Sequence, residues 1–330
     1  MAALPSRFAT DLLAQTIDDW SMSMADNVKK GSPFLAWLEM NGRMTSDGGP
    51  TLIYPIRFGK SPNTGFYTKA DTLGVADYDV SSAAQYGWAH HYHQIVVART
   101  DEILNSGSNQ VVNLVTTKLN AAEEDIKESI NSALLSPSPT VTAKNPNSLG
   151  HLVNNSESIA VGGITPSATG TDTRFWKATV RDDRPNNYNF TTAGRKDLAD
   201  FVRDVSQNKQ YMADLILTNR ATYNDIEEMA WSKAQIQMGV NQIEFMYDAF
   251  MFDGAIVLWD NTVTAPASHE NRIYVLSTKC LELVTHTERW MTPEPRTTLP
   301  STDNWYQSIF STFQLTCDNR RLQGVWDQQV

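Results

Sequence analysis

The chain has 330 residues, with 27 Lys+Arg against 37 Asp+Glu for a formal charge of −10, and it is 41% hydrophobic and 19% charged. A chain this long and apolar buries roughly three quarters of its unfolded surface in about two folding units, which excludes a disordered protein. The acidic balance argues against wrapping nucleic acid, which needs clustered cations, and no window approaches the ~20 apolar residues of a membrane span.

In chain order, Phe8, Leu12, Leu13, Ile17 and Trp20 fall on one face at helical spacing, an amino-terminal helical arm. The start has no cationic region followed by an apolar run, so the protein is expected to stay in the cytosol with Cys280 and Cys317 as buried free thiols. Residues 42–49 have loop composition. Leu52, Tyr54, Ile56 and Phe58 then alternate as a strand that Pro55 restricts to an edge, and the alternation returns at Tyr86, Trp88, His90 and Tyr92, followed by Ile95, Val96 and Val97. Residues 59–85 between them form a polar connection far longer than the usual 4–6 or so residues. An isolated hairpin is marginal in water, so an arm bearing Phe66, Tyr86, Trp88 and Tyr92 is expected to gain its order on a neighbouring subunit.

Val115, Leu119, Ala122, Ile126, Ile130 and Ala133 recur every three or four residues and predict one long helix over Ser108–Leu135. Asn105, Ser106 and Ser108 supply amide acceptors at its start, and Pro137 and Pro139 end it. A mixed region follows. Leu198, Phe201, Val202 and Val205 predict a helix opening after Thr191 or Thr192; residues 215–217, Ala255–Trp259 and 273–276 predict short strands, and Asp253-Gly254 a tight turn. Ile309 to Cys317 alternate as a long strand, for which the long helix is the expected partner in a helix-on-sheet body.

Candidate chemistry is sparse. His90, His91 and His93 suggest zinc, but in a strand His90 points away from the other two and no carboxylate or cysteine completes a set, so exposed polar side chains are the plainer expectation. Asp18-Asp19, Asp182-Asp183 and Glu227-Glu228 are adjacent pairs that point apart. Gly162-Gly163 and Gly170 lack the lysine of a phosphate loop, and Asp77 and Asp79 lack the other ligands of a calcium loop. No catalytic, cofactor or metal residue is assigned. Aromatics are abundant instead, with 9 Trp, 11 Tyr and 12 Phe, and those in arm and loop suit an interface, where large area is buried at low entropic cost.

This order of parts resembles the major capsid proteins of tailed bacteriophages of the Hong Kong 97 type, in a podophage-associated branch. The residues that carry the likeness are Asn105-Ser106-Gly107 before the long helix, Gly162-Gly163-Ile164 followed by Trp176, Phe252-Asp253-Gly254-Ala255, Ile273-Tyr274-Val275-Leu276-Ser277-Thr278-Lys279, and the run from Gln314 through Asp318-Asn319-Arg320-Arg321 to Gly324. The resemblance implies an α+β fold with an N-terminal arm over 1–48, an extended hairpin loop over 49–98, a peripheral domain with spine helix over 99–150 plus 291–330, and an axial domain over 151–290. It further implies pentamers and hexamers that build an icosahedral head around double-stranded DNA, assembled in the bacterial host cytoplasm, with contacts through Phe8, Trp20, Trp37, Phe66, Tyr67, Tyr86, Trp88 and Tyr92. Portal and decoration proteins are implied partners. No scaffold-sized segment precedes Pro50, so a separate or removed scaffolding protein is expected. The rivals are the shell of an encapsulating compartment and, more distantly, a metal-dependent hydrolase on His90, His91 and His93.

Overall fold

The computed structural model describes residues 32–57, 62–69, 71–77, 79, 81–100, 108–166, 175–182, 190–206, 212–231, 250–265, 271–298 and 303–328. The elements run α1 (Pro33–Met40), β1 (Met44–Asp47), β2 (Leu52–Arg57), β3 (Ser81–Tyr86), β4 (Ala89–Ala98), α2 (Ser108–Leu135), β5 (Thr179–Asp182), α3 (Phe190–Val205) and β6 (Leu215–Thr218). They continue with α4 (Arg220–Trp231), β7 (Phe250–Phe252), β8 (Ala255–Trp259), β9 (Asn271–Leu276), β10 (Leu281–His286), β11 (Thr292–Pro293), β12 (Thr297–Thr298), β13 (Asn304–Cys317) and β14 (Gln323–Gln328).

The long strand β13 organises the first sheet. Its backbone groups need strand partners all along its length, and a helix cannot supply them because its own N–H and C=O groups are spent internally. It therefore pairs antiparallel with β4 from Asn304↔Ala98 to Phe313↔Ala89, and with β10 from Leu281↔Cys317 to Thr285↔Phe313. The long helix packs on the face of this sheet, the helix-on-sheet body expected from the sequence, while β4 and β10 are the strand partners. Helix α2, whose bounds agree with the sequence expectation, lies on the sheet face, with Ser129 Oγ 3.1 Å from His91 Nε2 and Lys118 Nζ donating to the Val96 carbonyl at 3.0 Å. Ala122, Ile126, Ile130 and Leu134, four residues apart, form its buried stripe.

Two segments read as loop are strands. Residues 44–47, Met-Thr-Ser-Asp, run parallel to β10, and Ser81–Tyr86 pairs antiparallel with β2 from Leu52↔Tyr86 to Arg57↔Ser81. Both are poor in β-branched and aromatic residues, and pairing with a ready edge overrides that weak preference. The return strand thus ends at Tyr86, and β4 begins at Ala89 in a different sheet. Helix α1 also departs from the arm expected over 1–48, because Phe34, Leu35 and Leu38 are fully buried in the main core.

The second sheet has the order β5-β14-β9-β6-β8-β7. Its central strands are covered on both sides, which is why β6 and β8 read as apolar runs. In β9, Ile273 and Val275 join Trp326 and Phe201 in a cluster under α3 and α4, while Tyr274 and Leu276 face the larger core with Ile126 and Trp176. Sheet membership cuts across the expected boundary at 290: β10 belongs to the first sheet, and the carboxy-terminal β14 lies between β5 and β9 in the second.

The crossing from β13 to β14 is locked by Arg320, which is fully buried. Its Nε donates to the Leu152 carbonyl at 2.8 Å, Nη1 to Trp176 at 2.8 Å and Nη2 to Asn154 at 2.7 Å. Burial pulls its pKa down to about 10, still leaving the cation charged at neutral pH. A second guanidinium, Arg272 on β9, forms a bidentate pair with Asp327 on β14 at 2.5 and 2.8 Å and donates to the Pro137 carbonyl just past α2. Cys280 and Cys317 are free buried thiols, and burial, with Asp318 beside it, pushes Cys280 up to about 12.

Replacing Arg320 leaves three carbonyls without this donor, each bond to a charged group being worth roughly 1.5–3 kcal/mol. Arg320→Ala is expected to lower unfolding stability by at least ~3 kcal/mol, and Arg320→Lys by a similar amount because an ammonium lacks the planar fork. Urea unfolding followed by tryptophan fluorescence measures both; a lysine variant as stable as the parent contradicts the role given to the fork.

Candidate assembly surface

Among the described residues the hairpin of β2 and β3 pairs with no further strand, so its place on the body rests on one face and a few polar ties. Alternation turns Leu52, Ile56, Ala84 and Tyr86 into the core and leaves Ile53 exposed on the outer side. The Tyr54 hydroxyl donates to Glu282 Oε2 at 2.8 Å, the buried Tyr86 hydroxyl to the Cys317 carbonyl at 2.7 Å, and the Gln85 amide to the Gly162 carbonyl at 2.9 Å. Burial raises both phenol pKa values well above their ordinary range, so both remain protonated donors. The Trp88 indole N–H donates to the Gly49 carbonyl at 2.7 Å and its ring stacks edge-on to His286.

Beyond the strands, two sets of hydrogen bonds shape the tip from within. Asn63 acts as a surrogate strand, donating from Nδ2 to the Ala76 carbonyl at 2.7 Å and accepting the Ala76 amide at 3.0 Å. Asp71 accepts from the amide and hydroxyl of Thr68, and those bonds hold its carboxyl below the ordinary range. The side chains left over point outward: Phe66 at 107% and Val75 at 91% relative exposure, with Tyr67 and Leu73 also exposed. These four large apolar residues form a surface that, among the described residues, is left open to water.

A second exposed apolar strip lies on β4, where Tyr92 and Val96 share the outer face. The strand alternation also separates the histidines. His90 Nδ1 lies 2.9 Å from Thr312 Oγ on one face, while His91 and His93 turn toward α2. The three imidazoles do not converge on one point. Among the described residues there is no group of three metal-ligating side chains.

The expected contact residues divide accordingly. Phe66, Tyr67 and Tyr92 are exposed and available to a neighbour, Trp88 is half-buried in its bond to Gly49, and Phe8 and Trp20 lie outside the described residues. Trp37 and Tyr86 are corrected to core positions: α1 buries Trp37, and Tyr86 anchors the hairpin root. Sequence reasoning missed Leu73 and Val75, two apolar residues stranded in an otherwise polar connection. It also passed over the role of Gly162-Gly163, where an isolated bridge between Val161 and Ile164 encloses two residues at φ +60° and +75°. That is the signature of a tight I′-like turn, and a glycine pair in polar surroundings is its signal.

No protein-family model and no curated protein sequence matches the chain. Solved structures do. It superposes on the capsid asymmetric unit of cyanophage A-1(L) with a TM-score of 0.63 at 15% identity, covering 87% of this chain and 90% of that one. The capsid of the native GTA particle gives 0.58 at 7% identity, over 89% and 90%. The SrpI encapsulin of Synechococcus elongatus gives 0.53 at 9% identity, over 90% and 88%. The chain has the Hong Kong 97-type capsid fold.

The histidines provide a reading of the β4–α2 contact independent of assembly. Burial first, and the neighbouring His93 second, lower the His91 pKa. Its contribution is therefore complete above the unfolded value of about 6.5 and is lost as pH falls from there through the lowered folded value. His91→Gln is expected to flatten the loss of stability between pH 7 and pH 5 relative to the parent chain, as urea midpoints would show; equal pH slopes contradict it.

Proposed function

We propose that the chain is the structural subunit of a closed protein shell, a major capsid protein that self-assembles and has no catalytic task. The single observation behind this is the tip: Phe66, Tyr67, Leu73 and Val75 stand exposed on a loop shaped by Asn63–Ala76 and Thr68–Asp71 bonds, carried by a fold shared with shell-forming proteins. Burying these residues against an adjacent copy supplies the driving force, and each contact after the first is effectively intramolecular. Obligate interfaces bury about 2,000–5,000 Å², and the tip and the outer face of β4 are the surfaces offered for it.

In this proposal the hairpin region over 49–98 overlays a neighbour. The first sheet with the spine helix forms the peripheral region, and the second sheet with α3 and α4 forms the axial region that lines five-fold and six-fold rings. The shell is the head of a tailed phage, assembled in the bacterial host cytoplasm with scaffolding, portal and decoration proteins. It encloses double-stranded DNA by proximity rather than recognition, since a net charge of −10 keeps packed DNA from adhering to the wall. Among the described residues no helix is long and apolar enough to cross a membrane, and no membrane partner is proposed. The shell of a cargo compartment is the alternative, favoured by the likeness to the SrpI encapsulin.

The triple variant Phe66→Ser, Tyr67→Ser, Val75→Ser tests the assignment. Because these side chains contribute nothing to the core, its unfolding midpoint is expected within ~0.5 kcal/mol of the parent. Shell yield by sedimentation and negative-stain microscopy should fall at least tenfold. A parent chain that never forms rings or shells, or a variant that assembles as well as the parent, would sink the proposal; nucleic acid or protein inside purified shells separates phage head from compartment.

A further inference from the structure

We infer that the Val161–Ile164 turn is the fulcrum on which the β2–β3 hairpin rests, so that this turn sets the angle at which the tip leaves the body. The purpose of that angle, presenting the tip to a neighbour, rests on the shell assignment; the mechanical coupling does not.

Core packing of Leu52 and Ile56 seats the hairpin, and among the described residues its tightest contact with the body is at Gly162. Gly162 meets the hairpin so closely that a Cβ at that position would lie 2.8 Å from Ala84 Cβ and 3.1 Å from the Tyr86 ring. The same glycine's carbonyl accepts the Gln85 amide, so contact and hydrogen bond coincide at one residue. Nothing larger than glycine fits there, and the φ of +60° is itself a conformation that only glycine adopts without strain.

The turn is in turn fixed from behind. Trp176, fully buried, donates its indole N–H to the Val161 carbonyl at 2.9 Å, and its own carbonyl is held by Arg320. A chain of direct contacts thus runs from the crossover between the two sheets, through Trp176 and the turn, to the hairpin root. The Tyr54–Glu282 bond, made by the residue paired with Ala84, ties the same level of the hairpin to β10 of the first sheet. A lever held at its root amplifies small displacements. Carbon contacts settle at about 3.5–4.0 Å, so a methyl at 162 pushes Ala84 by ~1 Å, and the strand from Ala84 to Ser81 carries the start of the tip ~10 Å beyond.

The full-length chain, held dilute and unassembled, is labelled with nitroxides at Lys69→Cys on the tip and Glu128→Cys on α2; both native thiols are buried, which directs labelling to the new sites. Pulsed electron spin distance measurement should give one narrow distribution in the parent, a mean shifted by more than ~2 Å in Gly162→Ala, and a broadened one in Trp176→Phe, which keeps an aromatic ring but drops the bond to Val161. Ile53→Ala, on the outward face, should leave the distribution as it was. A folded Gly162→Ala with an unchanged distribution overturns the inference, as does an equal shift in Ile53→Ala. Should Gly162→Ala not fold, Trp176→Phe decides: broadening supports the fulcrum and an unchanged width overturns it. A shifted tip in a chain that forms no shells upholds the fulcrum while removing the shell function.

Discussion

A guanidinium with no carboxylate among its hydrogen-bond partners, buried where two sheets exchange their strands, is the constraint from which the rest of this structure follows. Arg320 spends its fork on three backbone carbonyls, those of Leu152, Asn154 and Trp176, which belong to segments that no strand ladder satisfies. An unpaired buried carbonyl costs free energy, and a buried cation without acceptors costs more, so each makes the other tolerable. That mutual need pins the crossover after β13, and with it the placement of β14 between β5 and β9. The bidentate Arg272–Asp327 pair then ties β9 to β14 and reaches the Pro137 carbonyl at the end of the spine helix. Two cations thereby join both sheets and the helix into one body.

Against that body the hairpin tip is built on the opposite rule. Asn63 with Ala76 and Thr68 with Asp71 bond within it and give the loop local shape. Its apolar side chains face outward, where water gives them nothing. A soluble chain folding only for itself would bury Phe66 and Val75 or replace them. On the proposed reading, a rigid frame, a root gripped at Gly162 and Tyr86, and an apolar tip are the parts of a tile whose remaining favourable contacts lie on another copy.

Legibility followed the physics of each element. The spine helix could be read to its ends because four-residue spacing of Ala122, Ile126, Ile130 and Leu134 needs no knowledge of its neighbours. The strands Ala255–Trp259 and Asn271–Leu276 announced themselves as apolar runs because both of their faces are covered. Ser81–Tyr86 and Met44–Asp47 did not, since their strand state comes from pairing with distant segments and not from composition. The aromatic residues of the assembly surface illustrate the same limit. Phe66 and Tyr86 look alike in sequence, yet one is fully exposed and the other anchors the core, and only the register of β3 against Leu52 separates them. The role of Arg320 was equally hidden, because the carbonyls it binds lie about 150 residues away along the chain and carry no side-chain signature.

Hydrogen–deuterium exchange on the same chain, dissociated and assembled, tests the tile most directly. If the tip finds its missing partner in an adjacent copy, amides within residues 62–77 should slow by at least tenfold on assembly, while β9 and β13, already buried, keep their rates. Tip amides that exchange equally fast in both states would contradict the account.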